Sequence, residues 1–196
     1  MIAQLNGNLI LKKAPWIVLD VNGVGYEIQV PMTVYFALPD LQTHLALFTH
    51  YVVREDGHWL YGFLTPSDRD LFRTIVKVSG IGPKVALSIL STIPAADFTH
   101  YIDSGQTQLI TQVPGIGKKT AERLVIELRD KLKPLSLTFS QSSAVNSQSD
   151  HAQLDAIEAL VSLGFSLKEA KAAVHKANKY EDSEMILRDA LQGLAK

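Results

Sequence analysis

A seven-residue segment occurs twice in the chain, 35 residues apart. Residues 78–84 read VSGIGPK and residues 113–119 read VPGIGKK. The match continues into the following residues, where Ala86 aligns with Ala121. Each copy is flanked by apolar residues three and four positions apart, which predicts a helix, a Gly-Ile-Gly turn and a second helix. Because two copies are too few for a stacked repeat array, we expect paired helical hairpins within one compact domain.

The residue types in each turn suit an anion site. Glycine gives a tight turn a positive φ without steric cost and lets another backbone approach closely, and the isoleucine between the glycines can fill the core. The next helix begins at once, with Pro83 suited to its first turn, so free N–H groups and the helix dipole converge there. Lys84, Lys118 and Lys119 lie in these first turns, where a cation is unfavourable unless an anion is present. The repeat therefore predicts phosphate binding, with a glycine-capped helix connection as the structural alternative.

Other phosphate, metal and thiol chemistries find little support. The second copy is not a Walker A loop, because Lys118 is not followed by Ser or Thr and Gln112 occupies the first glycine position. The chain has no cysteine, which excludes disulfides, thiol catalysis and cysteine-ligated zinc. Its six histidines show no metal-binding spacing. We expect no cofactor, no metal and no nucleotide site.

Charge is distributed unevenly along the chain. The net charge is −1, yet residues 66–135 carry ten basic and seven acidic residues. Residues 1–65 carry three basic and five acidic residues, and residues 136–196 carry six and eight. A basic excess in the middle third suggests that one face meets a polyanion, although on charge alone a solvated helix face is the simpler interpretation.

The pattern changes three times and predicts three small domains. Residues 1–64 contain five short strands with a two-residue turn at Asn22-Gly23, which favours a small closed barrel. Residues 65–133 have helical periodicity, with helices expected at 83–92, 95–103, 106–112 and 118–132. Residues 134–151 are rich in serine and predict a flexible linker, and residues 152–196 predict three short helices.

No apolar run approaches the length needed to span a bilayer, and the first residues lack the pattern of a secretory signal. The expected location is therefore the cytoplasm, without a membrane partner.

Four segments resemble the RuvA family, which comprises the Holliday-junction-binding subunits of bacterial branch-migration machines. They read VVRED at 52–56, LYGF at 60–63, GIGPK at 80–84 and PGIGKKTAERL at 114–124. The resemblance covers essentially the whole chain and implies an α+β multidomain fold. That fold has an N-terminal OB-fold β-barrel, a middle paired helix-hairpin-helix domain and a C-terminal three-helix bundle of the ubiquitin-associated type.

The resemblance also implies a function and partners. It implies sequence-independent binding of four-way (Holliday) DNA junctions by a non-catalytic subunit that recruits and stimulates the RuvB ATPase hexamer. Branch migration of this kind belongs to homologous recombination, DNA repair and the SOS response. The RuvC resolvase is expected on the same junction. The chain is expected to form a homotetramer, and two tetramers can enclose one junction.

Three groups of site residues follow from the matching positions. Phosphate contact is expected from Gly80, Gly82, Lys84, Gly115, Gly117, Lys118, Lys119 and Arg123. An acidic pin at the junction centre is expected from Glu55 and Asp56, for which the residues alone suggest only an exposed hairpin tip. A motor-binding patch is expected from Leu163, Phe165 and Leu167, which could equally belong to a core.

Two other classes of function stay open at this point. Paired hairpins can hold DNA for a nuclease or a glycosylase, but the sequence shows no carboxylate cluster with metal spacing and no nucleophile–base arrangement. A barrel can also bind single strands by stacking bases on exposed aromatic residues. Strand alternation places Trp59, Tyr61 and Phe63 on one face, which we expect to be core.

Overall fold

The computed structural model describes residues 1–140, 148–177 and 182–194. The chain forms two compact units, Met1–Ser142 and Ser143–Lys196. The first unit contains a barrel and a group of helices that share contacts, and the second contains a small helical bundle.

Five strands form a closed barrel, as the sequence predicts. They are β1 (Gln4–Lys13), β2 (Trp16–Val21), β3 (Val24–Gln29), β4 (His44–Arg54) and β5 (Gly57–Phe63). Their order around the barrel is β1-β2-β3-β5-β4, with β3 and β5 parallel and every other pair antiparallel. Asn22 and Gly23 both have positive φ, of 53° and 87°, and make the tight turn between β2 and β3.

One helix interrupts the strands where none is predicted. Helix α1 (Met32–Ala37) lies between β3 and β4 and buries Val34. Its sequence, MTVYFA, is rich in β-branched and aromatic residues, which is why propensity alone favours a strand there. Tertiary contacts with a later helix override that preference.

The remaining helices of the first unit agree closely with the periodicity. They are α2 (Pro66–Val76), α3 (Pro83–Thr92), α4 (Ala95–Ser104), α5 (Thr107–Ile110) and α6 (Lys118–Ser140). The Thr65 hydroxyl caps α2 by accepting the Asp68 N–H at 3.1 Å, and Pro66 occupies the first helical position. Gly105 ends α4 in the left-handed conformation at φ 73°.

The outer face of β5 packs against α2. The rings of Tyr61 and Phe63 lie 5.1 and 5.0 Å from the ring of Phe72, measured between centroids, and all three side chains are buried. Trp59 is half-buried against the same cluster. The aromatic residues at alternating positions of β5 therefore belong to a core that joins the barrel to the helices, as the alternation predicts.

Three helices form the described part of the second unit. They are α7 (Gln148–Ser162), α8 (Leu167–Lys176) and α9 (Ser183–Leu194), and they pack around buried residues such as Leu160, Val174 and Ile186. Helix α6 runs to Ser140 and α7 begins at Gln148, so helix enters the predicted 134–151 linker from both ends. Pro134 and the serines predict an earlier end to α6. The middle of that linker and residues 178–181 and 195–196 lie outside the described residues, and the linker stays a prediction.

Candidate nucleic-acid interface

The two copies of the sequence repeat form equivalent turns. We call α2, residues 77–82 and α3 hairpin 1, and α5, residues 111–117 and α6 hairpin 2. In hairpin 1 the Ile81 N–H donates to the Val78 carbonyl at 3.0 Å, and in hairpin 2 the Ile116 N–H donates to the Val113 carbonyl at 3.1 Å. Both isoleucines are buried, with 5% and 6% of their surface exposed. The predicted Gly-Ile-Gly turns with their core-filling isoleucines are therefore confirmed.

The two glycines of each turn have different conformations. The first glycine has positive φ, 84° at Gly80 and 88° at Gly115. The second does not: Gly82 is extended at φ −91°, and Gly117 lies outside the positive region. The sequence predicts positive φ for either glycine, and the structure assigns it to the first because that residue reverses the chain. The second glycine precedes the helix, where any residue fits the backbone.

The second glycines have no internal reason to lack a side chain. A Cβ added to Gly82 or Gly117 would meet no heavy atom within 4 Å. Within the part of the chain that the structure describes, the N–H groups of Gly80, Gly82, Gly115 and Gly117 have no hydrogen-bond acceptor. Each turn therefore presents free donors beside open space at a helix N-terminus, a geometry that accommodates a phosphate oxygen.

Three lysines surround these donors. Lys84 lies in the first turn of α3, and Lys118 and Lys119 begin α6, all exposed. None of them forms an ion pair with any residue that the structure describes. Their charges are thus available to a ligand, and their repulsion with the helix N-terminus favours an anion there.

Arg123 is the one predicted phosphate residue whose side chain has a described partner within the protein. Its Nη1 donates to the Ser79 carbonyl at 3.1 Å, and so joins α6 of hairpin 2 to the turn of hairpin 1. Ser88, which the 35-residue repeat aligns with Arg123, donates to the Pro114 carbonyl of hairpin 2 at a longer 3.4 Å. The two contacts are related by the repeat and cross-link the hairpins. Sequence reasoning missed Ser88, although its alignment with Arg123 could have drawn attention to it.

The predicted acidic pin lies at the tip of the hairpin between β4 and β5. Glu55 and Asp56 are exposed and form the connection that follows Arg54. Below the tip, the Tyr51 hydroxyl and the His58 Nδ1 form a hydrogen bond across the two strands. Strands β4 and β5 are paired as far as Arg54 and Gly57, so the two carboxylates lie in solvent at the end of a regular antiparallel ladder. The structure does not bring them into contact with the hairpin lysines.

The predicted motor patch divides into exposed and packed residues. The Phe165 N–H donates to the Leu160 carbonyl and the Gly164 N–H to that of Val161, with Gly164 at φ 100°, which is a Schellman C-cap. This cap turns Phe165 onto the bundle core, where it is half-buried. Leu163 and Leu167 stay exposed, with 61% and 49% of their surface accessible.

Next to this patch, Ser166 and Glu169 form a capping box at the start of α8. Hydrogen bonds from the Ser166 side chain, and then from its backbone, lower the pKa of the Glu169 carboxyl.

Two observations bear on the nuclease and single-strand-binding alternatives. Among the described residues, no three His, Asp or Glu side chains come together to hold a metal ion. The aromatic residues of β5 that a single-strand binder would need for stacking are packed against α2. No helix of the described chain has the length and apolarity to cross a membrane.

A closed five-stranded barrel joined to tandem helix-hairpin-helix motifs defines a class of DNA-binding proteins. Three family models match the chain in this order. The RuvA N-terminal domain matches residues 1–62, the SAM-like helix-hairpin-helix tandem matches residues 72–130, and the RuvA C-terminal domain matches residues 152–195.

Full-length relatives agree with the family models. A "Holliday junction branch migration complex subunit RuvA" from Shewanella denitrificans is 47% identical over 99% of this chain and 100% of the relative. The protein of the same name from Shewanella frigidimarina is 46% identical over the same shares. The chain belongs to the RuvA family of Holliday junction branch migration complex subunits. The α+β fold class inferred from the sequence is confirmed.

Proposed function

We propose that this chain binds four-way DNA junctions without reading their sequence and serves as the DNA-binding subunit for a RuvB ATPase motor. The observation that carries the proposal is the pair of repeat-related turns in which free N–H groups face open space at Gly82 and Gly117. Such donors bind phosphate oxygens, which have the same geometry at every base pair. Selectivity must then come from the architecture of the DNA.

The acidic pin supplies a reason to prefer a junction over a duplex. Glu55 and Asp56 repel phosphates near the pin and so favour an open crossover, in which the arms diverge around it. The test is to compare the affinities for a four-way junction, a duplex and a single strand at low salt, for the wild type and the Glu55→Gln, Asp56→Asn variant. We expect the wild type to prefer the junction and the variant to bind duplex better. An unchanged junction-to-duplex affinity ratio would show that Glu55 and Asp56 form only an exposed turn.

We propose that four copies of the chain assemble around one junction and that two such tetramers can enclose it. Four pins would then converge at the crossover, where their repulsion of phosphate would be greatest. The mass of the free protein and of its junction complex tests this assembly. A monomer in both states contradicts it.

The proposed role of the second unit is to recruit the motor. Leu163 and Leu167 are exposed apolar side chains beside the C-cap of α7, and we assign motor contact to them and to the edge of Phe165. Deleting residues 152–196 should leave junction binding intact and abolish stimulation of the RuvB ATPase. Full motor-driven branch migration by the truncated protein would contradict this role.

We propose that the chain is non-catalytic and acts in the cytoplasm, sharing its junction with the RuvC resolvase. Incubation with magnesium and junction or duplex DNA separates this proposal from a hairpin-based nuclease or glycosylase. We expect intact DNA after the incubation. Strand cleavage or base release would favour the enzyme.

A further inference from the structure

Helix α1 begins without a cap of its own. Its N-cap residue is Pro31, which has no side chain able to accept a hydrogen bond. The Met32 N–H instead donates to the Ser91 hydroxyl oxygen at 3.0 Å, across 59 residues of sequence. The barrel segment therefore takes its helix cap from α3 of hairpin 1.

Whereas the start of α1 lacks an acceptor, the end of α3 lacks hydrogen-bond donors. Its last carbonyls lack helical partners, and the Leu90 carbonyl accepts the Thr33 hydroxyl at 2.9 Å. The Ser91 hydroxyl donates its proton to the Leu87 carbonyl at 2.7 Å, and this hydrogen bond orients the hydroxyl oxygen toward α1. Two helices from different domains thus cap each other. We call Met32, Thr33, Leu90 and Ser91 the latch.

The latch lies at the opposite end of α3 from the proposed phosphate site. Helix α3 has ten residues, which makes it about 15 Å long, and Gly82 and Lys84 lie at its start. Hairpin 1 is also joined to the barrel through α2, by a cluster of packed rings and by Arg73, which donates to His50 Nδ1 at 3.4 Å and to the Thr49 carbonyl at 3.5 Å. The latch adds shorter hydrogen bonds, of 3.0 and 2.9 Å, at the far end of α3, and these directional contacts constrain the angle of α3 relative to the barrel.

We propose that Thr33 and Ser91 are positioning residues that set the preference for junction over duplex. This rests on the proposed function: a junction must meet the acidic pin on the barrel and the phosphate sites of the hairpins together, whereas a duplex needs only the hairpins. A rigid connection holds the pin at a fixed position relative to the phosphate sites, where its repulsion disfavours a continuous duplex but not an open crossover. Loosening the connection lets the pin move aside, so duplex affinity rises relative to junction affinity.

The test compares junction and duplex affinities of the full chain in Thr33→Val, Ser91→Ala and the double variant. Thr33→Val keeps the shape of the side chain and removes its donor. We expect the junction-to-duplex affinity ratio to fall about five-fold for each hydrogen bond removed between α1 and α3. The matched control is Thr92→Ala, which removes a hydroxyl bonded only within α3 to the Ser88 carbonyl. Thr33→Ser restores the donor and should restore the ratio.

The outcomes separate the latch from the proposed function. If the double variant keeps the wild-type preference for the junction, the positioning role of the latch is wrong, whereas the proposed function stands. A parallel loss of junction and duplex affinity also overturns it, because it indicates general damage to hairpin 1. A wild type without junction preference contradicts the proposed function itself. Amide exchange at Met32 gives an independent readout, and it should accelerate in Ser91→Ala but not in Thr92→Ala.

Discussion

Hairpins 1 and 2 share a turn but are supported differently. Hairpin 1 begins α3 with Pro83 and has one lysine in its first turn, whereas hairpin 2 begins α6 with Lys118 and Lys119. Hairpin 1 is attached to the barrel through α2 and α1, while hairpin 2 packs within the helical domain against α4. The repeat thus preserves the donor geometry, whereas the two hairpins differ in their attachment and in their charge. From the proposed function, we expect hairpin 1 to set the orientation relative to the barrel and hairpin 2 to supply more of the charge.

The strongest test of the shared geometry replaces the second glycines. In Gly82→Ala and Gly117→Ala the new Cβ meets no protein atom and the backbone is not strained, so stability should stay the same or rise by about 0.5 kcal/mol. The Cβ would occupy the space that an approaching phosphate needs. We expect junction affinity to fall about ten-fold in each variant, the value of one charge-assisted hydrogen bond, and further in the double variant. Gel shifts and urea unfolding measure the two effects.

If only one variant loses affinity, the two hairpins do not bind DNA alike, and the comparison must be revised. If neither does, the open space has no role in binding and the turns are structural. Gly193→Ala, in α9 of the second unit, is the control for a general effect of the substitution, because its added Cβ also meets no heavy atom within 4 Å and its φ is not positive.

Charge is expected to distinguish the hairpins. Lys118→Ala with Lys119→Ala removes two cations from hairpin 2, whereas Lys84→Ala removes the one cation in the first turn of α3. For each phosphate that a bound subunit no longer neutralises, the slope of log affinity against log salt should flatten by about 0.9. We therefore expect about twice the change for hairpin 2. Equal slopes would show that the lysines do not bind separate phosphates, and a change in base preference would contradict readout through the backbone alone.

The first glycines should report on folding instead of binding. Gly80→Ala and Gly115→Ala place a side chain at φ 84° and 88°, a conformation that costs alanine about 1 kcal/mol. We expect the free energy of unfolding to fall by that amount in each. The Cβ at Gly80 would make an ordinary van der Waals contact with the Arg123 guanidinium at 3.6 Å, and at Gly115 it meets nothing, so the two variants should lose about the same stability. Urea unfolding measures this, and an unchanged free energy of unfolding would contradict the left-handed conformation of the first glycines.

The sequence predicts the parts of this site that repeat or alternate. The duplicated segment indicates both turns and their buried isoleucines, and alternation in β5 predicts the face that carries Tyr61 and Phe63. It does not tell which of two equivalent glycines reverses the chain. The pattern also could not reveal α1, because its residues favour a strand.

Pairs between distant segments are equally hidden from the sequence. The Arg123 hydrogen bond joins residues 44 positions apart, and the Thr33 hydrogen bond joins residues 57 apart. No local preference encodes such pairs, since each depends on how two elements pack. For Arg123 the sequence emphasises a phosphate ligand and misses its partner in the neighbouring hairpin.

The smallest expected effect concerns the pH dependence of the attachment of hairpin 1. His50 of β4 packs on the ring of Phe72 at a centroid distance of 5.6 Å, and its Nδ1 accepts from Arg73 Nε at 3.4 Å. Burial lowers the pKa of His50, and the nearby charges of Arg73 and Arg69 lower it further. The folded protein therefore binds this proton less readily than the unfolded chain does, whose histidine titrates near about 6.5. The stability contributed by neutral His50 is complete above that value and is lost as the pH falls below it.

The measurement is the urea midpoint between about pH 8 and about pH 5.5 for the wild type and for His50→Gln, which cannot take up a proton. We expect the midpoint of the wild type to fall more steeply below about pH 6.5 than that of the variant, because only the wild type loses the neutral imidazole. Amide exchange should accelerate in α2 before it does in α6, since His50 packs on α2 and its protonation loosens hairpin 1 first. Parallel pH profiles for the two proteins, or equal exchange in both helices, would show that hairpin 1 is no more sensitive to pH than hairpin 2.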